Sequence, residues 1–301
     1  MAASVNAQPA RSSHPPQTVP QSGRKTLAWL GRLFLRLILI IQALIVVYPL
    51  VWNVLASLKT NEEVMENPWT LPKHFNWSNY VNAFTTARIG DYMLNSVLVV
   101  AMSMAILLAA ALPTAYALGR MNFRGKAFTT NVYMAGLFIG GVYIIVPLFI
   151  LMNNLHMLDN RFWLSAVYAT GSLPFSVYLM IGFMKSIPKD FEEAALIDGC
   201  GYTSTLFRII LPITRPAIVT LIVFGFFDFW NEYVLALTLI TSDEKKTIPI
   251  GLSNLMQIQQ YATDWGSLFA GLVIVLIPTI IIYALLQKRL TDGMMMGGVK
   301  G

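Results

Sequence analysis

The polar residues that stand inside apolar surroundings are the first candidates for chemistry. In FFDFWNEYVLAL, Phe226 to Leu237, the residues Asp228, Asn231 and Glu232 are spaced i, i+3 and i+4, which puts them on one face of a helix. Counted at about 1.5 Å per residue from the start of its apolar run, Asp228 falls just past the middle of a bilayer. A carboxylate at that depth must face protein or water. Two readings fit: the polar wall of a solute path, and a hydrogen-bonded helix–helix contact. Gln42, within the first apolar run, reads as interhelical glue.

A second group of carboxylates lies in PKDFEEAALIDGCGYTSTLFRIILP, Pro188 to Pro212. Pro188 suits the first position of a helix, where its missing N–H costs nothing. Asp190, Glu192 and Glu193 follow in the first turns, at the positive end of the helix dipole. Phe191, Ala194 and Ala195 give a small apolar side. Gly199 and Gly201 suit a left-handed stop, and Thr203 suits the cap of a second short helix. Leu206, Ile209 and Ile210 then point to the bilayer or the bundle, and Pro212 and Pro216 end the segment. A helix with alanines and a free carboxylate suits a groove in another protein, because alanine allows close approach and the carboxylate can meet an arginine. An ordinary loop helix lying on the membrane fits the same residues.

No catalytic pattern accompanies these groups. GRMNFRGKA, from Gly119 to Ala127, has five residues between its glycines instead of four, and Ala127 where a phosphate-binding loop needs Ser or Thr. It reads as a basic turn. His14, His74 and His156 stand in a tail or in loops, and no metalloprotease, nucleophile-elbow or Cys–His pattern occurs. The single cysteine, Cys200, excludes an internal disulfide and reads as a small packing residue.

The elements that must position these residues follow from composition. The 301 residues are 56% hydrophobic and only 12% charged, with mean hydropathy +0.60, whereas a soluble domain carries about 25% charged residues. Six runs reach the roughly 20 residues that a crossing helix needs: 37–58, 93–118, 131–155, 162–183, 217–240 and 267–286. Their hydrophobicity does not alternate, so helices are expected rather than barrel strands. Of the 21 Lys and Arg, fifteen fall in the N-terminal tail, the second and fourth loops and the C-terminal tail; six fall on the other side. The positive-inside rule then places both termini and the 188–212 segment in the cytoplasm. The charge is read as topology, not as a nucleic-acid surface. Residues 1–29, rich in Pro, Ser and Gln, are expected to be a disordered cytoplasmic tail rather than a signal peptide. The outer loops 59–92 and 241–266 carry Trp69, Trp77 and Trp265 for the interface belt, with a short surface helix expected in the first. Pro113, Pro147, Pro174 and Pro278 favour kinks, and Gly171 with Pro174 makes the fourth run a candidate broken helix.

Glu193-Ala194-Ala195, then Gly199, then Ile209-x-Leu211-Pro212, resembles the EAA signature of bacterial and archaeal ABC importer permeases, EAA-x3-G-x9-I-x-L-P. Every fixed position matches, and Asp198 agrees with its common form. IVPLFILMNNLHMLDN, SLPFSVYLMIGFMKSIP, WNEY at 230–233, DWG at 264–266 and the ending GGVKG are similar to the carbohydrate-uptake branch, the maltose-type inner-membrane permeases; Gly298 stands where that branch usually has Ala. The likeness covers about residues 30–301. It implies an all-α, polytopic membrane protein with six spans, the type I ABC importer permease fold and both termini cytoplasmic. It implies partners: a second, homologous permease, two copies of a cytoplasmic ATPase, an extracellular solute-binding protein and membrane lipid, with no nucleic acid. Glu193, Ala194, Ala195, Asp198, Gly199, Leu211 and Pro212 would form the ATPase-coupling segment, Glu193 meeting a basic ATPase residue and Gly199 making the turn. The chain itself would be no enzyme and hold no cofactor, ATP and Mg being bound by the ATPase. The implied solute is a mono- or oligosaccharide. Glycerol-3-phosphate is the alternative within the family, and an ion-coupled secondary transporter the alternative outside it. No basic residue lies inside a run, which favours a neutral sugar.

Overall fold

In a bilayer every backbone group must be bonded within its own segment, and the long apolar runs of this chain are accordingly helices. The computed structural model describes residues 21–139, 141–259 and 264–298, and no strand occurs among them. The chain divides into two units, residues 1–52 and 53–301. The first is described by helix α1, Gln21–Ala56, which continues past Trp52. From Trp29 to Val51 every α1 residue is exposed, and nearly all are apolar. A helix apolar all round is suited to lipid. Of the expected tail, residues 1–20 lie outside the described residues, and residues 21–29 are the first turns of α1.

The second unit opens with two short helices, α2 (Asn61–Glu66) and α3 (Ser78–Thr85). Helix α2 starts in a capping box: the Thr60 hydroxyl accepts from the Glu63 amide, and the Glu63 carboxylate accepts from the Thr60 amide. Then come α4 (Ile89–Arg120), α5 (Lys126–Gly136), α6 (Gly141–Asn154) and α7 (Arg161–Ser186). The 188–212 segment holds α8 (Asp190–Ile197), α9 (Tyr202–Thr205), a π turn at Leu206–Ile210 and α10 (Leu211–Ile213). The chain closes with α11 (Arg215–Asn231), α12 (Val234–Leu239), α13 (Ile248–Gln259) and α14 (Trp265–Gly298).

The core is built on α4 against α7. Helix α4 buries Val99, Ser103, Leu107, Ala111 and Ala115, a row of every fourth residue that makes one face. Helix α7 answers with Leu164, Ser165, Tyr168, Ala169, Val177, Met180 and Met184. Small residues on both sides allow close approach, which drives helix association where lipid is as apolar as leucine. The Ser165 hydroxyl donates across to the Val99 carbonyl at 3.2 Å. The two helices run parallel: Arg161 at the start of α7 donates to Asn95 near the start of α4 at 2.8 Å, and Arg120 at the end of α4 donates to Ile187 after α7 at 2.8 Å. Helices α5 and α6 therefore return the chain from one end of the bundle to the other.

Four helices are long and apolar enough to cross a membrane: α1 from Trp29, α4, α7, and α14 as far as Gln287. The pair Tyr202–Ile213 and Arg215–Asn231, bent by 79°, makes a fifth when counted together. Two expected continuous runs are interrupted. The third, 131–155, is non-helical at 137–139, between α5 and α6. The fifth, 217–240, breaks at Glu232 and Tyr233, where Glu232 takes an extended ψ of 124°. The fourth, expected to break at Gly171 and Pro174, is a continuous helix. Pro174 meets a glycine of the neighbouring helix: a Cβ added to Gly136 would stand 2.9 Å from Pro174 Cγ. The proline ring packs onto a glycine at the end of α5, which lets α5 approach α7 closely there.

Candidate functional site

The 188–212 segment is a helical elbow at the end of the bundle where α4 and α7 terminate. Helix α8 carries Asp190, Glu192 and Glu193 in its first turn, the favourable end for negative charge. It starts at Asp190, two residues after Pro188, so Pro188 precedes the helix instead of occupying its first position. Its stop is a Schellman turn: Gly199 has φ +77°, its amide donates to Leu196 at 3.1 Å, and the Cys200 amide donates to Ala195 at 2.8 Å. Gly201, at φ −76°, is ordinary extended chain before α9, and Thr203 lies inside that helix without capping it. The π turn ends just before Pro212, with the Leu211 amide donating to Leu206. Because Pro212 offers no amide donor, the wider turn absorbs the missing bond.

The elbow presents its signature residues unevenly. Ala195 is buried against the chain, whereas Glu193, Ala194, Asp198, Gly199 and Pro212 are exposed and Leu211 is half-buried. Phe191, Leu196 and Ile197 are exposed too, Ile197 at 87%. Leu206 and Ile210 are buried, so the second arm of the elbow is rooted in the bundle. A cavity of about 530 Å³ lies between Tyr116, Arg120 and Asn122 on one side and Glu193, Tyr202 and Thr205 on the other.

The two adjacent glutamates have opposite fates. Glu193 is exposed, but the Glu192 carboxylate accepts from Arg120 Nε at 3.0 Å, with side-chain exposures of 5% for the arginine and 16% for the glutamate. Arg120 also donates to the carbonyls of Ile187 at 2.8 Å and Pro188 at 3.3 Å. Sequence reasoning missed this contact. The available signal was a lone arginine closing a long apolar helix, counted only as topology charge.

The three intramembrane polar residues do not form one face, because α11 ends at Asn231. The Glu232 carboxylate accepts from the Leu235 and Ala236 amides at 2.7 and 3.0 Å and from the Tyr168 hydroxyl at 2.6 Å. It thereby closes the break by capping α12 and ties it to α7. Asn231 donates to Phe227 in its own helix at 2.8 Å. Asp228 is exposed, accepts from the Ser172 hydroxyl at 2.6 Å, and lines a cavity of about 510 Å³ with Phe175 and Phe224. Those two rings meet edge to face at 5.8 Å.

At the opposite end, polar ties gather the loops. The Asp159 carboxylate accepts from Lys245 Nζ at 2.7 Å, the Ser242 hydroxyl at 2.5 Å, and the amides of Ser242 and Thr241 at 2.8 and 3.1 Å. Partial burial alone would raise its pKa, but these four donors outweigh it and hold the carboxyl well below the usual range. Asn95 donates to the carbonyls of Glu244 and Lys246. Lys59, counted in the sequence as an outer loop charge, is fully buried and donates to Asn67, Pro68 and Thr70 at 3.1–3.2 Å. Among the described residues no cluster of His, Cys, Asp and Glu could hold a metal ion.

Residues 111–295 match the family of binding-protein-dependent transport system inner membrane components. The chain belongs to that family. It is 35% identical over 260 residues, 86% of each chain, to the diacetylchitobiose uptake system permease protein NgcG of Streptomyces coelicolor. It is 32% identical to the galactooligosaccharides transport system permease protein GanQ of Bacillus subtilis, covering 92% of this chain and 98% of that one. A bacterial ABC transporter that imports the polysaccharide alginate shares the fold, with TM-score 0.78 and 24% identity over 86% of this chain and 96% of the other. The chain is thus an ABC transporter permease of the sugar-uptake type, embedded in a membrane, and a transport component rather than an enzyme. The ion-coupled secondary transporter is set aside by this membership.

Proposed function

We propose that this chain is one permease subunit of an ATP-driven, binding-protein-dependent importer that carries a sugar across the cytoplasmic membrane of a bacterium or archaeon. The observation that carries the reading is the elbow at 188–212: a short helix stopped by Gly199, with Glu193, Ala194 and Asp198 exposed and, among the described residues, no extensive packing of α8 on another helix. Such a helix is an arm for a partner's groove. The partners are two ATPase subunits, which bind the ATP and Mg, a second homologous permease, and an extracellular solute-binding protein; this chain holds no cofactor. Six crossings with both termini cytoplasmic are supported by the parallel run of α4 and α7, which requires the interrupted α5 and α6 to count as one return.

A mono- or oligosaccharide is favoured over glycerol-3-phosphate. The cavity beside Asp228 offers a carboxylate, two serines and aromatic rings and no cation, which suits hydroxyls and repels phosphate. Asp228 and Asn231 are the residues of the path; Glu232 supports it by holding the break in the fifth run. The decisive experiment is reconstitution in proteoliposomes. Uptake of a neutral sugar is expected only with ATP, the ATPase, the second permease and the binding protein together. Uptake by this chain alone under a proton or sodium gradient would overturn the reading.

A further inference from the structure

We infer that Arg120 is a positioning residue that gears the elbow to the end of α4, so that force arriving at α8 is delivered sideways into the α4–α7 pair. The inference rests on the proposed function above and adds the route by which coupling leaves the elbow.

Three observations carry it. First, α8 has few other ties to the bundle, the contact of Tyr116 with Glu192 being one of them. Ala195 is its single buried side chain, and among the described residues the Arg120–Glu192 contact is the ion pair that joins it to a membrane-crossing helix. Second, one guanidinium gathers three elements. Its Nε meets Glu192 in the first turn of α8, one Nη meets the carbonyl of Ile187 that caps α7, and the other meets Pro188 in the link between them. A planar fork with five donors can hold three acceptors in a fixed arrangement; a lysine can supply the charge but not that geometry. Third, the contact is protected. With Arg120 at 5% and Glu192 at 16% side-chain exposure, water competes little for it, and removing either partner strands a buried charge.

The mechanical consequence follows from connectivity. Along the chain, α8 is joined to α7 by the short link at Ile187–Lys189 and to α11 through the π turn and the bend at Thr214. Without the arginine, tilting α8 would reach α4 through the flexing of these links and through Tyr116, the α4 side chain that also meets Glu192. With it, the end of α4 follows α8 directly, and the long α4–α7 seam moves as one body. Glu193 is left free to face a partner while Glu192 faces inward, which assigns different tasks to the two adjacent carboxylates.

The test uses the complete transporter in proteoliposomes and compares the wild-type chain with Glu192→Gln, Arg120→Gln, Arg120→Lys and the exchange Arg120→Glu/Glu192→Arg. Sugar moved per ATP hydrolysed and retention of the ATPase on purification are measured for each. Glu192→Gln keeps the shape and one acceptor for Arg120 while removing the charge, and insertion and assembly of each variant are checked by its recovery with the second permease. Both single Gln variants should keep the ATPase bound yet lower transport per ATP roughly tenfold, within the range of a coupling between sites. Arg120→Lys should fall between, since it keeps the charge and loses the fork. The exchange should recover part of the loss by restoring the ion pair without the carbonyl contacts. Unchanged coupling in Glu192→Gln, or an exchange no better than Arg120→Gln, would overturn the gearing while leaving the importer intact. A wild-type chain that neither binds nor responds to an ATPase would instead remove the reading on which it rests.

Discussion

The EE pair of the elbow shows how much a single position decides. Glu192 and Glu193 are chemically identical, yet one is bound to Arg120 and the other is exposed. Rotation along α8 makes the difference, since neighbours on a helix point about 100° apart. Gly199 decides as much through its backbone. Its φ of +77° is costly for a residue with a Cβ, by about 1–2 kcal/mol, and more for a branched one. Nothing stands within 4 Å of a Cβ built there, so the cost is conformational and not steric. Gly199→Ala should weaken the turn slightly and Gly199→Val strongly, with membrane insertion unchanged. Retention of the ATPase on purification should fall in that order. Equal retention by all three chains would show that the left-handed turn is not what presents α8.

At the scale of elements, hydropathy located the long helices and the signature located the elbow, but neither located the breaks. Hydropathy scores composition, whereas a break inside a bundle depends on which group satisfies the freed amides. Glu232 caps α12 from within its own chain, so an acid that read as one of three on a polar face interrupts that face. Pro174 read as a breaker, but α7 runs through it, and its ring packs on Gly136, 38 positions away. Arg120 and Glu192 are 72 residues apart, and no local pattern links them. By contrast Thr60 and Glu63 are three apart, and the capping box that starts α2 is a local pattern in TNEE, although sequence reasoning missed it. The clip at Asp159 gives an element-level prediction. Its pKa in the folded protein is lowered, so its contribution is present in full above the ordinary carboxylate range and fades as pH falls through that range toward the folded value. Hydrogen exchange of residues 239–246, corrected for intrinsic rates, should show no loosening between pH 8 and pH 6 and clear loosening near pH 3. Asp159→Asn should loosen the same segment at neutral pH. A segment equally protected at pH 3 would separate it from the Asp159 carboxylate.

For the whole molecule, the polar ties at the two ends of the bundle fix the directions of α4 and α7. Asn95, Arg161 and the 241–246 loop share one end, and Arg120, Ile187 and the elbow share the other. The chain leaves α4 at the elbow end and enters α7 at the opposite end, so α5 and α6 together must traverse the bundle although neither is long enough alone. The positive-inside count predicts that the elbow end faces the cytoplasm. Single cysteines in a Cys200→Ser chain test both statements, using a maleimide that does not cross membranes. Arg124→Cys sits in the basic turn after α4, Asn154→Cys at the end of α6, and Glu244→Cys in the loop after α12, all at exposed positions. In intact cells Asn154→Cys and Glu244→Cys should react and Arg124→Cys should be protected until the membrane is opened. If Asn154→Cys shared the protection of Arg124→Cys, the interrupted pair would be a re-entrant hairpin and the parallel order of α4 and α7 would be wrong. If all three responses were inverted, the helix directions would stand and the charge rule would have misplaced the elbow, leaving an ATPase in the cytoplasm nothing to grip.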